Sequence, residues 1–380
     1  MLFDNEKAGG GQVIAANAYN KSKSREMLLL PGCRKCHKCL QQCPLHKIKG
    51  AEMTMEMPQT QGCINCGFCI GICPQRAVGY QDDIELFLQD LAKGKKISLL
   101  VAPAVQRHFN DYRQVFGYLQ SLGVRNFYSV VLRADITLWV YVRILEKNYG
   151  KPFISSPCAA VTDYIMNHMP ALRPHLMPVY SPLVCSAVYL KKYRQLDDDL
   201  AFLSPCIAKR RELQQSGNKV LYSVTMGKLK QYIMEQGIDL SRYDAVDFAD
   251  SKEGQGVTLG ASGSVCTSLS QQLPDRLFKK ISGSEVYPYL TEYETALKSG
   301  EPLPDLLEIY NCKAGCDSGT GTGEMLAGGV VPPKSAPGNA DLQQAVAATF
   351  DSFNSTLDVA DFIWPEIKNY DTYEKDRGRI

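Results

Sequence analysis

The run Cys33-x-x-Cys36-x-x-Cys39-x-x-x-Cys43-Pro44 returns as Cys63-x-x-Cys66-x-x-Cys69-x-x-x-Cys73-Pro74, with every cysteine displaced by 30 residues. The segment is an internal duplication. Three thiolates at i, i+3 and i+6 can wrap one [4Fe–4S] cube, and the fourth, carried past a turn, reaches the cube of the other half. The spacing therefore predicts one cluster on Cys33, Cys36, Cys39 and Cys73, and a second on Cys63, Cys66, Cys69 and Cys43. Zinc also uses C-x-x-C pairs, but four donors complete its shell and leave a third cysteine at this spacing without a role.

Residues 28–80 resemble the bacterial two-cluster ferredoxins, modules that relay electrons. Around the first set lie Arg34, Lys35, Lys38, Lys47 and Lys49, a basic rim suited to an acidic electron carrier. A solvated surface that offsets a negative cluster explains the same residues equally well. His37 sits between two of the cysteines, whose count is complete without it.

Fourteen cysteines in 380 residues are better explained by metal than by disulfides in a reducing compartment. The start of the chain carries Asp4, Glu6 and Lys7 and no apolar h-region. The best apolar run, Ile97–Val105, is far short of the roughly 18 residues a membrane span needs and contains Pro103. The expectation is a cytoplasmic protein without a membrane span. A formal charge of +2 gives no global field that suggests nucleic acid.

From Lys96 the pattern changes. An apolar run (Ile97–Val105), a helical pattern (Arg107–Leu122), a β-branched run (Phe127–Leu132), a second helical pattern (Asp135–Tyr149) and Pro152–Ser156 read as β-α-β-α-β. A parallel sheet under helices follows, with ligands expected beyond the carboxyl ends of its strands. Ala201–Ser204, Leu221–Val224 and a helix over Gly227–Gln236 repeat the pattern and predict a second α/β lobe. Pro157-Cys158 and Pro205-Cys206 each follow a strand, and Cys312-x-x-x-Cys316 completes four thiolates from three separated segments. Such a set suits a third cluster held between two lobes.

These segments resemble the signatures of the [FeFe]-hydrogenases. Pro205-Cys206-x-x-Lys209-x-x-Glu212 matches their second signature, Pro157-Cys158 stands at the first, and Cys312-x-x-x-Cys316 with Gly319, Gly321 and Gly323 resembles the third. Ala102-Pro103-Ala104-Val105, Ala134-Asp135-Ile136-Thr137, Ser181-Pro182 and Gly260-Ala261-Ser262-Gly263 are weaker echoes in the same order, so the resemblance covers about residues 30–325. It implies an H-cluster, a cubane on Cys158, Cys206, Cys312 and Cys316, with Cys316 bridging to a two-iron unit that carries CO and cyanide. Lys209 would face an iron-bound cyanide, and Pro205, Glu212 and Ala104 would line the cofactor site. The fold implied is a two-lobed α/β H-cluster domain of parallel sheets flanked by helices, preceded by an α+β ferredoxin-like domain.

Where the family supplies a proton-donating cysteine, this chain has Pro157, and Val140 and Tyr141 replace paired glutamates. Ser204 and Tyr310 stand in for two methionines that pack on the two-iron unit. Twelve cysteines survive beside these departures, which points to altered use rather than loss of metal. Cys185 and Cys266 remain unassigned; each is a candidate proton donor or a small buried apolar side chain, and Tyr310 or Ser204 could hydrogen-bond the distal unit.

Residues 330–339 read as a loop, Ala340–Phe362 as helical, and Asn369–Ile380 as a charged tail with Lys375, Arg377 and Arg379. The division expected is an extension over 1–27, a two-cluster domain over 28–92, an H-cluster domain over 93–329 and a C-terminal part over 330–380. The reading is a hydrogenase-like protein of low H2 turnover that senses H2 or redox state and signals through a separate partner. It would receive electrons from a redox partner protein and its two-iron unit from maturation proteins. Two rivals remain: a working hydrogenase with another proton path, and a cluster-only electron-transfer or assembly protein lacking the two-iron unit.

Overall fold

The computed structural model describes residues 27–45, 62–130, 134–249, 260–323 and 349–367. Lys47, Lys49, the 330–339 loop and the basic tail lie outside these residues. Met27–Leu29 (β1) pairs antiparallel with Val78–Tyr80 (β2), Met27 opposite Tyr80, and closes the cysteine repeat into one unit. Each half of the repeat contributes a one-turn helix, Lys38–Gln41 and Phe68–Ile72. The duplication extends to the backbone: Lys35 and Asn65 are left-handed at φ 56° and 52°, and His37 and Gly67 at 60° and 78°.

Ile97–Val101 (β3) is buried at every position, the pattern of a strand covered on both faces. It lies between Val124–Ser129 (β4) and Asp199–Ser204 (β6), parallel to both, and Tyr222–Thr225 (β7) extends the sheet from β6. A second parallel sheet has Phe153–Ile154 (β5) and Phe278–Ser282 (β8) flanking Leu306–Tyr310 (β9). Helices cover the strands, among them Ile84–Ala92 (α1), Tyr112–Ser121 (α2), Ala134–Lys147 (α3), Ala159–His168 (α4), Pro182–Val188 (α5), Lys209–Gln215 (α6), Met226–Glu235 (α7), Ser264–Gln272 (α8) and Val286–Ser299 (α9). Phe116 of α2 stacks on Phe127 of β4 with ring centroids 4.3 Å apart. Burial of each such ring contributes about 1.5–3 kcal/mol.

Parallel sheets flanked by helices are the architecture expected, but the lobes are not consecutive in the chain. Strands β6 and β7, read from the sequence as a second lobe, join the first sheet: β3 pairs with β4 along one edge and with β6 along the other, and its apolar side chains are covered on both faces. Strand β5 leaves that sheet for β8 and β9, which the periodicity did not reveal. The helix expected over Arg107–Leu122 is divided: Phe109 is extended, and the Asp111 carboxylate accepts the N–H of Arg113 at 3.0 Å to start a new helix. Beyond 348, residues 349–356 are helical and Val359–Phe362 forms a 3-10 turn.

Candidate metal centre

Four thiols gather at each of three places. Cys33, Cys36, Cys39 and Cys73 line one cavity near the surface, with His37, Arg34 and Lys35 on its rim. Cys43, Cys63, Cys66 and Cys69 line a second, deeper one, together with Ile64 and Leu45. Left-handed residues stand between the cysteines at Lys35, His37, Asn65 and Gly67, and an alternation of left- and right-handed backbone is the kind that favours anions such as thiolate and sulfide. Gly67 meets a second demand: a Cβ there would stand 2.5 Å from the Thr320 Cβ, so the loop can press against the C-terminal signature. Burial pushes the Cys69 thiol up to about 12, with the neighbouring Cys63 and Cys43 adding to it.

The third cavity is lined by Cys158, Cys206, Cys312 and Cys316 with Pro157, Lys209, Tyr310 and Asn311. Cys158, Cys206 and Cys312 follow β5, β6 and β9, all at the carboxyl ends of parallel strands, and Cys316 rides a 3-10 turn at Gly315–Ser318. The loops close tightly. Gly321 N–H donates to the Pro205 carbonyl at 2.8 Å, Cys316 N–H donates to the Gly260 carbonyl at 2.6 Å, and a Cβ on Gly319 would lie 2.1 Å from the Pro205 oxygen. Burial pushes the Cys206 thiol up to about 11, with Cys158 adding to it, and the Cys312 thiol up to about 12, with Cys206 and Cys158 adding to it. Such thiols need bound cations to ionise, and iron supplies them. Among the described residues no three His, Cys, Asp or Glu side chains converge as they would on one metal ion. Four thiols spread around a cavity suit the larger cubane.

Lys209 is 7% exposed, pairs with Glu212 and donates to the Pro157 carbonyl at 3.1 Å. Burial opposes its charge, but the Glu212 carboxylate and the sulfurs of Cys316 and Cys206 outweigh burial and hold the ammonium above its usual range. A buried cation thus borders the third thiol set. The second Glu212 oxygen, Oε1, has no hydrogen-bond partner among the described residues.

The other expected site residues divide. Pro157 and Tyr310 line the third cavity; Ser204 does not, its hydroxyl bonding the Cys206 N–H at 3.0 Å and the Cys206 carbonyl at 2.8 Å. Ala104, just before the one-turn helix Val105–His108, is buried, and Pro205 serves through its carbonyl. Val140 and Tyr141 are fully buried on α3, where the Tyr141 hydroxyl accepts the Ser156 N–H at 3.0 Å. Cys185 is enclosed on α5, donates to the Tyr180 carbonyl at 3.3 Å and is pushed up to about 12 by burial. The Cys266 thiol, at the start of α8, is raised by burial and by Glu308, which accepts the Cys266 and Gly263 N–H groups at 2.8 Å.

A family described as iron only hydrogenase large subunit, C-terminal domain, matches residues 95–293, more than half of the chain. The chain belongs to this family. Its fold is shared with a [FeFe]-hydrogenase variant from Chlamydomonas reinhardtii, at a TM-score of 0.52 and 18% identity over 77% of this chain and 95% of that one. Another [FeFe]-hydrogenase structure, described in terms of oxygen inactivation through its H-cluster 2Fe subcluster, gives a TM-score of 0.51 at the same identity and coverage. Over 65 residues the chain is 34% identical to one component of an ion-translocating oxidoreductase complex of Methanosarcina acetivorans, spanning 17% of this chain and 24% of that protein. The chain thus spans about a quarter of that relative's length. As an [FeFe]-hydrogenase family member it is an iron–sulfur protein of H-cluster type. Among the described residues no helix is long and apolar enough to cross a membrane.

Several residues of this centre escaped the sequence. Arg211 pairs with Asp163 at 3.0 Å and donates to the Cys63 carbonyl at 2.7 Å, tying α6 to the cysteine repeat. Asn311 donates to the Cys66 carbonyl at 2.9 Å, and Tyr287 donates to Asn311. Adjacency to Cys312 was the available signal for Asn311; the others carried none.

Proposed function

We propose that this hydrogenase-family chain carries two [4Fe–4S] clusters over residues 28–92 and an H-cluster over 93–329, turns over H2 slowly, and serves as a sensor of H2 or redox state. The observation that supports it most is selective. Three complete sets of four thiols persist, while Pro157 stands in the lining of the third set's cavity, and Val140 and Tyr141, which replace the family's paired glutamates, are buried on α3 with the Tyr141 hydroxyl engaged by Ser156. The ligands proposed are Cys33, Cys36, Cys39 and Cys73; Cys43, Cys63, Cys66 and Cys69; and Cys158, Cys206, Cys312 and Cys316.

When bound, the two-iron unit supplies the metal at which H2 is split or formed. Cys316 is the thiolate proposed to join it to the cubane, and the buried Lys209 ammonium offers a charged donor to an anionic ligand in a dry place. Pro157 contributes a carbonyl that fixes Lys209 and no proton. Neither the enclosed Cys185 thiol nor the partly buried Cys266 thiol offers a relay near neutral pH, since both are raised far above the usual thiol range. This disfavours a working hydrogenase with a route through Cys185. Signal output is assigned to a separate redox or signalling partner, and electrons to a carrier that meets the rim of Arg34, Lys35 and Lys38.

The test is H2 evolution with a strong reductant after loading with the two-iron unit. Proton-relay groups contribute about 10²- to 10⁴-fold, so Pro157→Cys, alone or with Val140→Glu, should raise turnover at least about 10²-fold. Native turnover equal to that of relay-equipped relatives would remove the chemical basis of the sensory reading. Infrared bands of iron-bound CO and cyanide should appear on loading; their absence with the cubane intact would favour the cluster-only rival.

A further inference from the structure

The second and third thiol sets share a wall, and one side chain spans it. Cys66 and Asn65 line both cavities. Asn311, 2% exposed and directly after β9, is hydrogen-bonded through its backbone N–H and both ends of its side-chain amide. One amide hydrogen goes to the Cys66 carbonyl at 2.9 Å, and the other faces the Cys312 Sγ at 3.6 Å. Its Oδ1 accepts from the Tyr287 hydroxyl at 2.6 Å, and its backbone N–H donates to the Cys158 Sγ at 3.4 Å. Tyr287 itself packs edge-on against Phe68 of the cysteine repeat and Tyr164 of α4, with centroids 6.2 and 4.7 Å away. The amide therefore cannot turn without leaving a buried group unpaired, at about 1–3 kcal/mol per group.

The geometry points to Asn311 as the positioning residue that couples the Cys63–Cys66–Cys69–Cys43 site to the Cys158–Cys206–Cys312–Cys316 site. It locks the facing loops together through Cys66 and stabilises added negative charge on the third site through Cys312 and Cys158. The inference rests on the cluster assignment proposed above. Hydrogen bonds to cluster sulfurs set reduction potential, and the groups that orient metal ligands tune the metal. An electron passing from the first of these sites to the second finds Asn311 hydrogen-bonded to both.

The experiment compares wild type, Asn311→Leu and Tyr287→Phe, each loaded with iron and sulfide, by iron content, by redox titration and by the magnetic interaction between reduced clusters in electron paramagnetic resonance. Leucine keeps the shape and removes the side-chain donors. Asn311→Leu should retain its iron, shift the third site's midpoint to more negative potential and weaken the interaction. Tyr287→Phe, which releases the amide without removing it, should shift the midpoint in the same direction by less. Unchanged midpoint and interaction in Asn311→Leu at full iron content would overturn the proposal. If Asn311→Leu loses the third site's iron, a wild-type midpoint and interaction in Tyr287→Phe would overturn it. A wild type that holds two clusters and never the third would instead remove the cluster assignment itself.

Discussion

Lys209 keeps a charge where almost no water reaches it, and Glu212 is what makes that tolerable. A buried pair of this kind is more costly to break than to replace. Lys209→Met should therefore destabilise the chain by about 3–5 kcal/mol, since Glu212 is left alone at 3% exposure. Lys209→Met with Glu212→Leu should recover most of that loss while abolishing any infrared shift that depends on the ammonium. Urea unfolding of the unloaded chain measures the first effect, and a single variant as stable as wild type would refute it. Cys185 shows how far a residue can be read from sequence. Its type and neighbourhood left open a proton donor or a small buried apolar side chain; its bond to the Tyr180 carbonyl and its burial, invisible in the sequence, favour the second. Cys185→Ala should leave H2 turnover within about twofold of native, because a thiol held near 12 is almost never ionised at pH 7.

Among the elements, α1 shows a clamp that the hydrophobic pattern could not announce. Asp90 accepts from Lys95 at 2.8 Å, Lys93 at 3.2 Å and the Tyr222 hydroxyl at 2.8 Å, fastening the helix to β7. Lys95 above all, then Tyr222 and Lys93, hold its carboxyl down at about 2. A carboxylate whose folded pKa is depressed contributes stability that is complete above its unfolded value of about 3.9 and is lost as pH falls toward the folded value. Asp90→Asn should thus cost about 0.5–1 kcal/mol at pH 7, a figure reduced because both lysines are solvated, and the difference from wild type should shrink between about pH 4 and pH 2. Denaturant midpoints across that range check it.

The cysteine loops were far more legible as elements, since three ligands at fixed spacing dictate a loop whatever surrounds them. The glycines beside them owe their places to contacts between distant segments. Gly319→Ala should push the third signature off the Pro205 carbonyl and lower the iron content from about twelve per chain to about eight, leaving the N-terminal clusters. Unaltered iron in that variant would mean that the loop has slack.

For the molecule as a whole, the alternation of apolar runs and helical patterns made the α/β class and the parallel sheets readable. What it could not show was which strand joins which sheet. Strand β8 reads Phe-Lys-Lys-Ile-Ser and is partly exposed, and β9 carries Glu308 in its centre, so neither resembles an uninterrupted apolar run. Pairing is decided by long-range contacts between surfaces, of which a local window carries no record. The site followed the same rule: the thiols that gather in the three cavities were marked by spacing, whereas Asn311, Tyr287 and Arg211 matter through partners far away in sequence.

The interleaved sheets also impose an order in time. Phe153 pairs with Leu306 and Ile154 with Leu307, so the strand that presents Cys158 waits half-finished on the ribosome until more than 150 further residues have emerged. Cys312 and Cys316 come later still. A chain being made from its amino end can thus fill the two N-terminal thiol sets early, while the third stays incomplete until synthesis is nearly over. On the cluster assignment proposed above, its metal would be a late addition to an almost finished protein. A nascent chain stalled before Leu306 should hold about eight irons, and gain the remainder only when synthesis resumes and runs to the end. Acquisition of all twelve by the stalled chain would show that Cys158 and Cys206 recruit a cluster without their partners.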